Sequence, residues 1–221
     1  MHFFSKGHAA LQITALHILT DILTQHGSHV LETNPALLKV YVKALKSGSR
    51  TPEVQAAATI SVCKLMLGRV VQDSEASAEL LKALIIAYFD PTTRDNQEVR
   101  QALSYFLPVY CYSLRENQDR MRSVAVDVMH SLFNMHEALD GDSEDSEMVN
   151  LSTIGAHLVD WTDPRKCYAP GTTPGLGDEG SKKGVNGDVH LDLASDILDR
   201  LNTNITSKLP TRSLPLLRTI C

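Results

Sequence analysis

The feature that most limits the fold of this chain is a recurring way of starting helices. Asn34 precedes Pro35, Thr51 precedes Pro52 and Glu53, Asp73 precedes Ser74, and Asp95 precedes Asn96, each shortly before an apolar run at helical spacing. Asn, Thr, Ser and Asp side chains accept from the unpaired N–H groups of a first turn. Proline at the first helical position sacrifices no bond, because an N–H there has no intrahelical acceptor. An acid in the first turn suits the positive end of the helix dipole. The punctuation predicts helix after helix on short connections, and no segment shows the two-residue alternation of a strand.

The first predicted helix spans Ala9 to His26, with Leu11, Leu16, Ile18, Leu19, Ile22 and Leu23 at helical intervals and Gly27 as its stop. Ile13 falls off the centre of that stripe, so the buried face reads as broad. A second opens at Asn34-Pro35 and carries Leu37, Leu38, Tyr41, Val42 and Leu45. The third runs from Thr51-Pro52 through Val54, Ala57, Ala58, Ile60, Val62 and Leu65 to about Val71. A fourth carries Leu80, Leu81, Leu84, Ile85, Tyr88 and Phe89 and ends at Asp90-Pro91. The fifth starts at Asp95 or Asn96 and passes Val99, Leu103, Phe106 and Leu107, with Pro108 as a kink near its end. The sixth covers Gln118 to Leu139 through Met121, Val124, Val128, Met129 and Phe133. The first, third and fifth are centred about 43 residues apart, inside the 40–47 period of HEAT and armadillo repeats. Several faces are too apolar for isolated helical hairpins, so neighbours must stack to bury them. The fold class is read as all-α, a HEAT/armadillo-type α-solenoid of antiparallel helix pairs over residues 1–139.

Beyond Leu139 the texture changes. Residues 140–161 read as an acidic hinge, Asp140 to Glu147, followed by a short helix from Met148 to Trp161. Residues 162–188, rich in Gly, Pro, Asp and Lys, read as a disordered linker. Residues 189–221 return to helix from Leu191 to Ile205, with Leu191, Ala194, Ile197, Leu198 and Leu201 on one face. They close in a tail with Pro210 and Pro215 that reads as truncated at Cys221.

Composition narrows the function. The formal net charge is −5, so the chain as a whole has no electrostatic footprint for nucleic acid. The four cysteines, Cys63, Cys111, Cys167 and Cys221, form no CxxC pair and read as reduced, buried or incidental thiols. Met1 to Gln12 lacks the apolar core of a signal peptide, and no apolar run approaches the roughly 20 residues that span a bilayer. A soluble chain of the nucleus or cytoplasm, with no membrane partner, is the expectation.

The motifs that invite chemistry fail on their spacing. His26 and His29 flank a Gly27-Ser28 turn with no carboxylate or thiol to complete a metal shell. His130 and His136 are six apart and fall on different helix faces. The acidic octet at Asp140 has Asp145 where a calcium loop needs glycine. Gly175 to Lys182 nearly spells a phosphate loop, but with Ser181-Lys182 in reversed order and no preceding strand. No Ser/His/Asp or Cys/His set suggests nucleophilic catalysis, so no catalytic residue, cofactor or metal is assigned. Ser143, Ser146 and the Thr173-Pro174 pair are candidate phosphorylation sites. Lys39, Lys43 and Lys46 share one helix face at i, i+4, i+7 spacing and lie near Arg50. They form either a solvated outer face or a phosphate-contacting strip.

The stretch from Leu84 to Tyr110 resembles one family closely. Tyr88-Phe89-Asp90-Pro91, Asp95-Asn96, Arg100-Gln101, Leu103-Ser104 and Phe106-Leu107-Pro108-Val109 stand in its pattern, followed by Tyr110, Ser113, Asn117 and Gln118. Gln12 to Leu16 before Asp21, and Val62 to Val70, agree in order. The family is condensin subunit 3, the kleisin-binding HEAT-repeat subunit. The residues themselves are architectural: Asp90-Pro91-Thr92 ends one helix, Asp95-Asn96 caps the next, and Arg100 is placed to bridge to that acidic turn. The resemblance implies a non-catalytic subunit of the SMC–kleisin machine that compacts mitotic chromosomes, with the kleisin as partner, SMC subunits reached through the complex, and a nuclear, chromosomal location. It also implies double-stranded DNA as a shared ligand, held mainly by repeats outside this sequence. The competing readings are a generic HEAT/armadillo adaptor for transport or phosphatase assembly, and a helical enzyme, which would need a His and acidic cluster that is not visible.

Overall fold

The structure, a computed structural model, describes residues 8–47, 50–139, 149–168 and 188–208. Among the described residues there are nine α-helices and no strand. They are α1 (Ala9–His26), α2 (Ser28–Thr33), α3 (Leu38–Leu45), α4 (Pro52–Leu67), α5 (Ser74–Phe89), α6 (Gln97–Ser113), α7 (Arg115–Leu139), α8 (Leu151–Trp161) and α9 (Asp188–Lys208). Helices α1, α4 and α6 pack side by side in one row; α3, α5, α7 and α9 pack in a second row against it. Helix α8 seats across α6 and α7. This is the stacked-pair architecture of a HEAT-type solenoid, as the periodicity predicts.

The expected caps form at Asp73 and Asn96 but not at Asn34 or Thr51, whose side chains bond back to Thr33 and Ser47 and leave the following proline alone to open the turn. Asp73 Oδ1 accepts from Ala76 N at 2.7 Å, Asn96 Oδ1 from Val99 N at 3.3 Å and Asn150 Oδ1 from Ser152 N at 2.9 Å. Pro52 opens α4. Helix α4 lies at the middle of its row, against α1 and α6 on its flanks and α3 across from it, and buries eleven of its sixteen residues, among them Ala56, Ala57 and Ala58, whose small side chains let neighbouring helices approach closely. Its buried Gln55 is satisfied by donating to Leu45 O at 2.9 Å, so burial leaves no orphan there.

Several boundaries and faces differ from the sequence reading. Helix α4 stops at Leu67, short of Val71, because Arg69 adopts φ 55°. The turn is closed by Val70 N to Leu65 O and Arg69 N to Met66 O, the paired bonds of a Schellman stop. Gly27, at φ 67°, leads directly into the short α2, and Asn34-Pro35 opens a 3-10 turn (Pro35–Leu37) before α3. Helix α6 passes through Pro108 and continues to Ser113. Of α1 only Leu16, Thr20 and Leu23 are buried; Leu11, Ile18 and Ile22 are exposed, because α1 packs on α4 and α2 by one face. In α7 Leu132 is buried and Phe133 faces out. In α9 Val189 and Leu193 are buried while Leu191, Ile197 and Leu198 are exposed, the reverse of the expected face. Arg100 makes no ion pair with the Asp90 turn among the described residues.

The stretch expected to open a loose linker instead begins as a packed corner. Thr162 and Asp163 are buried, Pro164–Lys166 forms a 3-10 turn, and Tyr168 N donates to Tyr112 O at 2.7 Å. Gln118 Nε2 donates to Asp163 O at 2.8 Å, and Tyr112 Oη donates to Asp160 Oδ2 at 2.5 Å. The ring of Trp161 meets Phe89 at 6.1 Å and Tyr88 at 6.0 Å, joining α5 to α8. The remaining linker residues, the acidic octet, Ser143, Ser146, Thr173, the stretch from Gly175 to Lys182 and the tail with Cys221 lie outside the described residues.

Candidate partner-binding cleft

Helix α3 packs by Leu38, Tyr41, Ala44 and Leu45, which leaves Lys39, Lys43 and Lys46 on the opposite, exposed side. Tyr41 fixes the helix from below: Thr20 donates its hydroxyl to Leu16 O at 2.6 Å, so the Tyr41 hydroxyl donates to Thr20 Oγ1 at 2.9 Å. Burial pushes the Tyr41 phenol up to about 12, so it remains a donor throughout the ordinary pH range.

The exposed lysines do not stand on an open surface. They form one wall of a cleft of about 1170 Å³ between α2, α3, the α4–α5 turn and the first half of α5. Leu31, Leu38, Val42, Val70, Val71 and Leu80 give it an apolar floor. Lys39, Lys43, Lys46 and Arg50 line one side; Glu32, Asp73, Glu75 and Glu79 line the others. None of the four cations has an ion-pair partner among the described residues, whereas Glu32 faces His29 at 3.7 Å and Asp73 is engaged as a helix cap. The structure therefore brings together all four residues of the sequence-predicted strip and adds carboxylates and an apolar floor that sequence spacing did not join to it. Glu75 and Glu79, four apart at the start of α5, were the visible signal for the acidic side. The floor draws on residues up to 49 positions apart, from Leu31 to Leu80, and only folding assembles it.

The chemistry this arrangement supports is recognition. Among the described residues no three His, Cys, Asp or Glu side chains converge as a metal shell. Cys63 and Cys111 are free and buried, and burial pushes both thiols up, Cys63 to about 12, which keeps them protonated and unreactive. Among the described residues no helix is long and apolar enough to cross a membrane.

A family model described as the C-terminal domain of nuclear condensing complex subunits matches residues 1–219. Condensin complex subunit 3 of Schizosaccharomyces pombe is 34% identical over 202 residues, covering 91% of this chain and 22% of that protein. The Saccharomyces cerevisiae protein of the same name is 32% identical over 170 residues, 73% of this chain and 16% of that protein. A crystal structure of the S. pombe condensin Cnd3–Cnd2 subcomplex superposes with a TM-score of 0.72 at 30% identity, covering 91% of this chain and 24% of its counterpart. The chain thus spans about a fifth of the length of the relatives it matches.

Proposed function

The chain belongs to the condensin complex subunit 3 family, and we propose on that footing that it is a non-catalytic length of the HEAT-repeat subunit that holds the kleisin and contributes to DNA binding in mitotic chromosome condensation. The observation that carries the reading is the likeness over 91% of the chain to a subunit solved in a Cnd3–Cnd2 subcomplex. A stack of helix pairs supports this role physically, because it offers a long surface to an extended partner and positions no reactive groups. Chemistry belongs to the SMC subunits, which this chain meets through the complex, and no cofactor is required here.

Double-stranded DNA is held mainly by repeats outside this chain. A net charge of −5 offers no surplus of cations to displace counterions from a phosphate backbone. The setting is nuclear and chromosomal. The test is co-elution of this chain with the condensin kleisin on size exclusion. A stable complex is expected; separate elution from a folded, helical chain contradicts the reading.

A further inference from the structure

We propose that the cleft between α2, α3 and α5 is a docking groove for a short amphipathic segment of a partner polypeptide, one with carboxylates along one edge and apolar side chains facing the floor. The inference rests on the reading of this chain as a holder of a partner polypeptide and assigns that role a place.

Lys39, Lys43 and, at the C-cap of α3, Lys46 span seven steps along one helix face, a row about 10 Å long at 1.5 Å per residue. A partner helix with carboxylates at the same i, i+4, i+7 spacing presents a matching row. Charge matching of this kind fixes register and orientation as well as attraction. The opposite side of the cleft carries Glu75 and Glu79, so a docked segment must turn its acidic edge to α3 and a neutral or basic edge to α5. The floor of Leu31, Leu38, Val42 and Leu80 then buries the apolar side chains between the two edges, as a helix-in-groove site does.

A DNA duplex fits the same cleft poorly. Four cations and four carboxylates line it, so the local charge sums to zero and phosphates drawn to the lysines of α3 are repelled by Glu75 and Glu79 of α5. A duplex backbone also has nothing to place on the apolar floor. At about 1170 Å³ the cleft exceeds the upper range of small-molecule pockets, about 1,000 Å³, and suits a chain segment.

The experiment uses the full-length subunit reconstituted with its kleisin and with duplex DNA present. A photo-crosslinking benzoylphenylalanine replaces Val42 on the floor or, in a second variant, the exposed Gln72 on the rim. Both variants are made with and without the K39E/K43E/K46E reversal, whose positions are exposed and outside the core. The expected product joins either probe to a kleisin peptide with Asp or Glu beside apolar residues, and its yield falls about tenfold or more on charge reversal. Crosslinks to DNA, crosslinks to a peptide without carboxylates, a yield indifferent to the reversal, or no product despite co-elution each overturn the inference while leaving kleisin binding intact. Absence of co-elution overturns both.

Discussion

Asn96 Nδ2 donates to the carbonyl oxygen of Pro52 at 2.9 Å, tying the first turn of α6 to the first turn of α4 across 44 residues of sequence. The same side chain caps its own helix through Oδ1 and reaches Gln55 Oε1 at 3.4 Å, while Gln55 holds Leu45 O at the end of α3. One short network thus sets the register of three helices.

Replacing Asn96 tests that coupling. Asn96→Ala removes both the cap and the inter-helix bond and is expected to cost about 1–2 kcal/mol. Asn96→Asp keeps an acceptor for Val99 N but loses the donor to Pro52, and is expected to fall between Ala and the native residue. Urea unfolding midpoints of the three proteins check the order.

The Thr20–Tyr41 pair carries a second expectation. Tyr41→Phe leaves packing intact but strips a buried hydrogen bond of 2.9 Å between α1 and α3, at a cost of about 1 kcal/mol. A double-mutant cycle with Thr20→Val isolates the pairwise coupling, since both side chains are buried. A coupling near zero means that the two hydroxyls do not act together.

Acid stability reports on the corner after α8. The Arg165 guanidinium, with its backbone N–H, holds the Asp163 carboxyl down from its ordinary 3.8 to about 2. Lys166, and then the Tyr112 hydroxyl, hold Asp160 below its ordinary value as well. A carboxylate whose folded value is depressed adds stability in full above its unfolded value and loses it as pH falls through the folded one. The stability difference between the native chain and Asp163→Asn is therefore expected to be constant above about pH 5 and to shrink as pH falls through 3.8 towards about 2. Chemical denaturation at several pH values gives that difference directly.

Helix α9 is expected to respond to salt. Among its described side chains only Val189 and Leu193 are buried, and Arg122–Asp196 at 2.5 Å and Arg200–Asp127 at 3.9 Å clasp it to α7. Arg122→Ala is expected to speed amide exchange in α9 more than in α5. Added salt is expected to do the same to the native chain, because it screens partly exposed pairs. Equal protection of α9 with and without Arg122 contradicts the clasp.

Much of this fold is legible in the residues. Asp73 and Asn96 mark helix starts by side-chain caps that form as read, and Pro52 marks the start of α4 although Thr51 turns its hydroxyl to Ser47 O and caps nothing. Faces are less legible than starts. Ile18 and Ile22 lie on an apolar stripe yet stay exposed, because burial depends on which neighbours the stack supplies. The outward turn of Leu191 and Leu198 has the same origin: two ion pairs to α7 help fix the rotation of α9, and neither is visible in the period of its apolar residues. At the cleft, the lysine row follows from spacing within one helix, while its apolar floor and acidic wall come from α2, the α4–α5 turn and α5. The ordered corner at Thr162–Tyr168 is not legible in the sequence because its partners, Tyr112 and Gln118, lie 56 and 45 residues earlier than the Tyr168 and Asp163 they hold.

The most direct test of the central claim is hydrogen–deuterium exchange of the full-length subunit, measured alone, with the kleisin and with duplex DNA. Kleisin is expected to protect α3 and the first half of α5, whereas duplex alone leaves both unchanged. Protection confined to repeats outside this chain while the kleisin is fully bound, or protection of α3 by duplex alone, contradicts it.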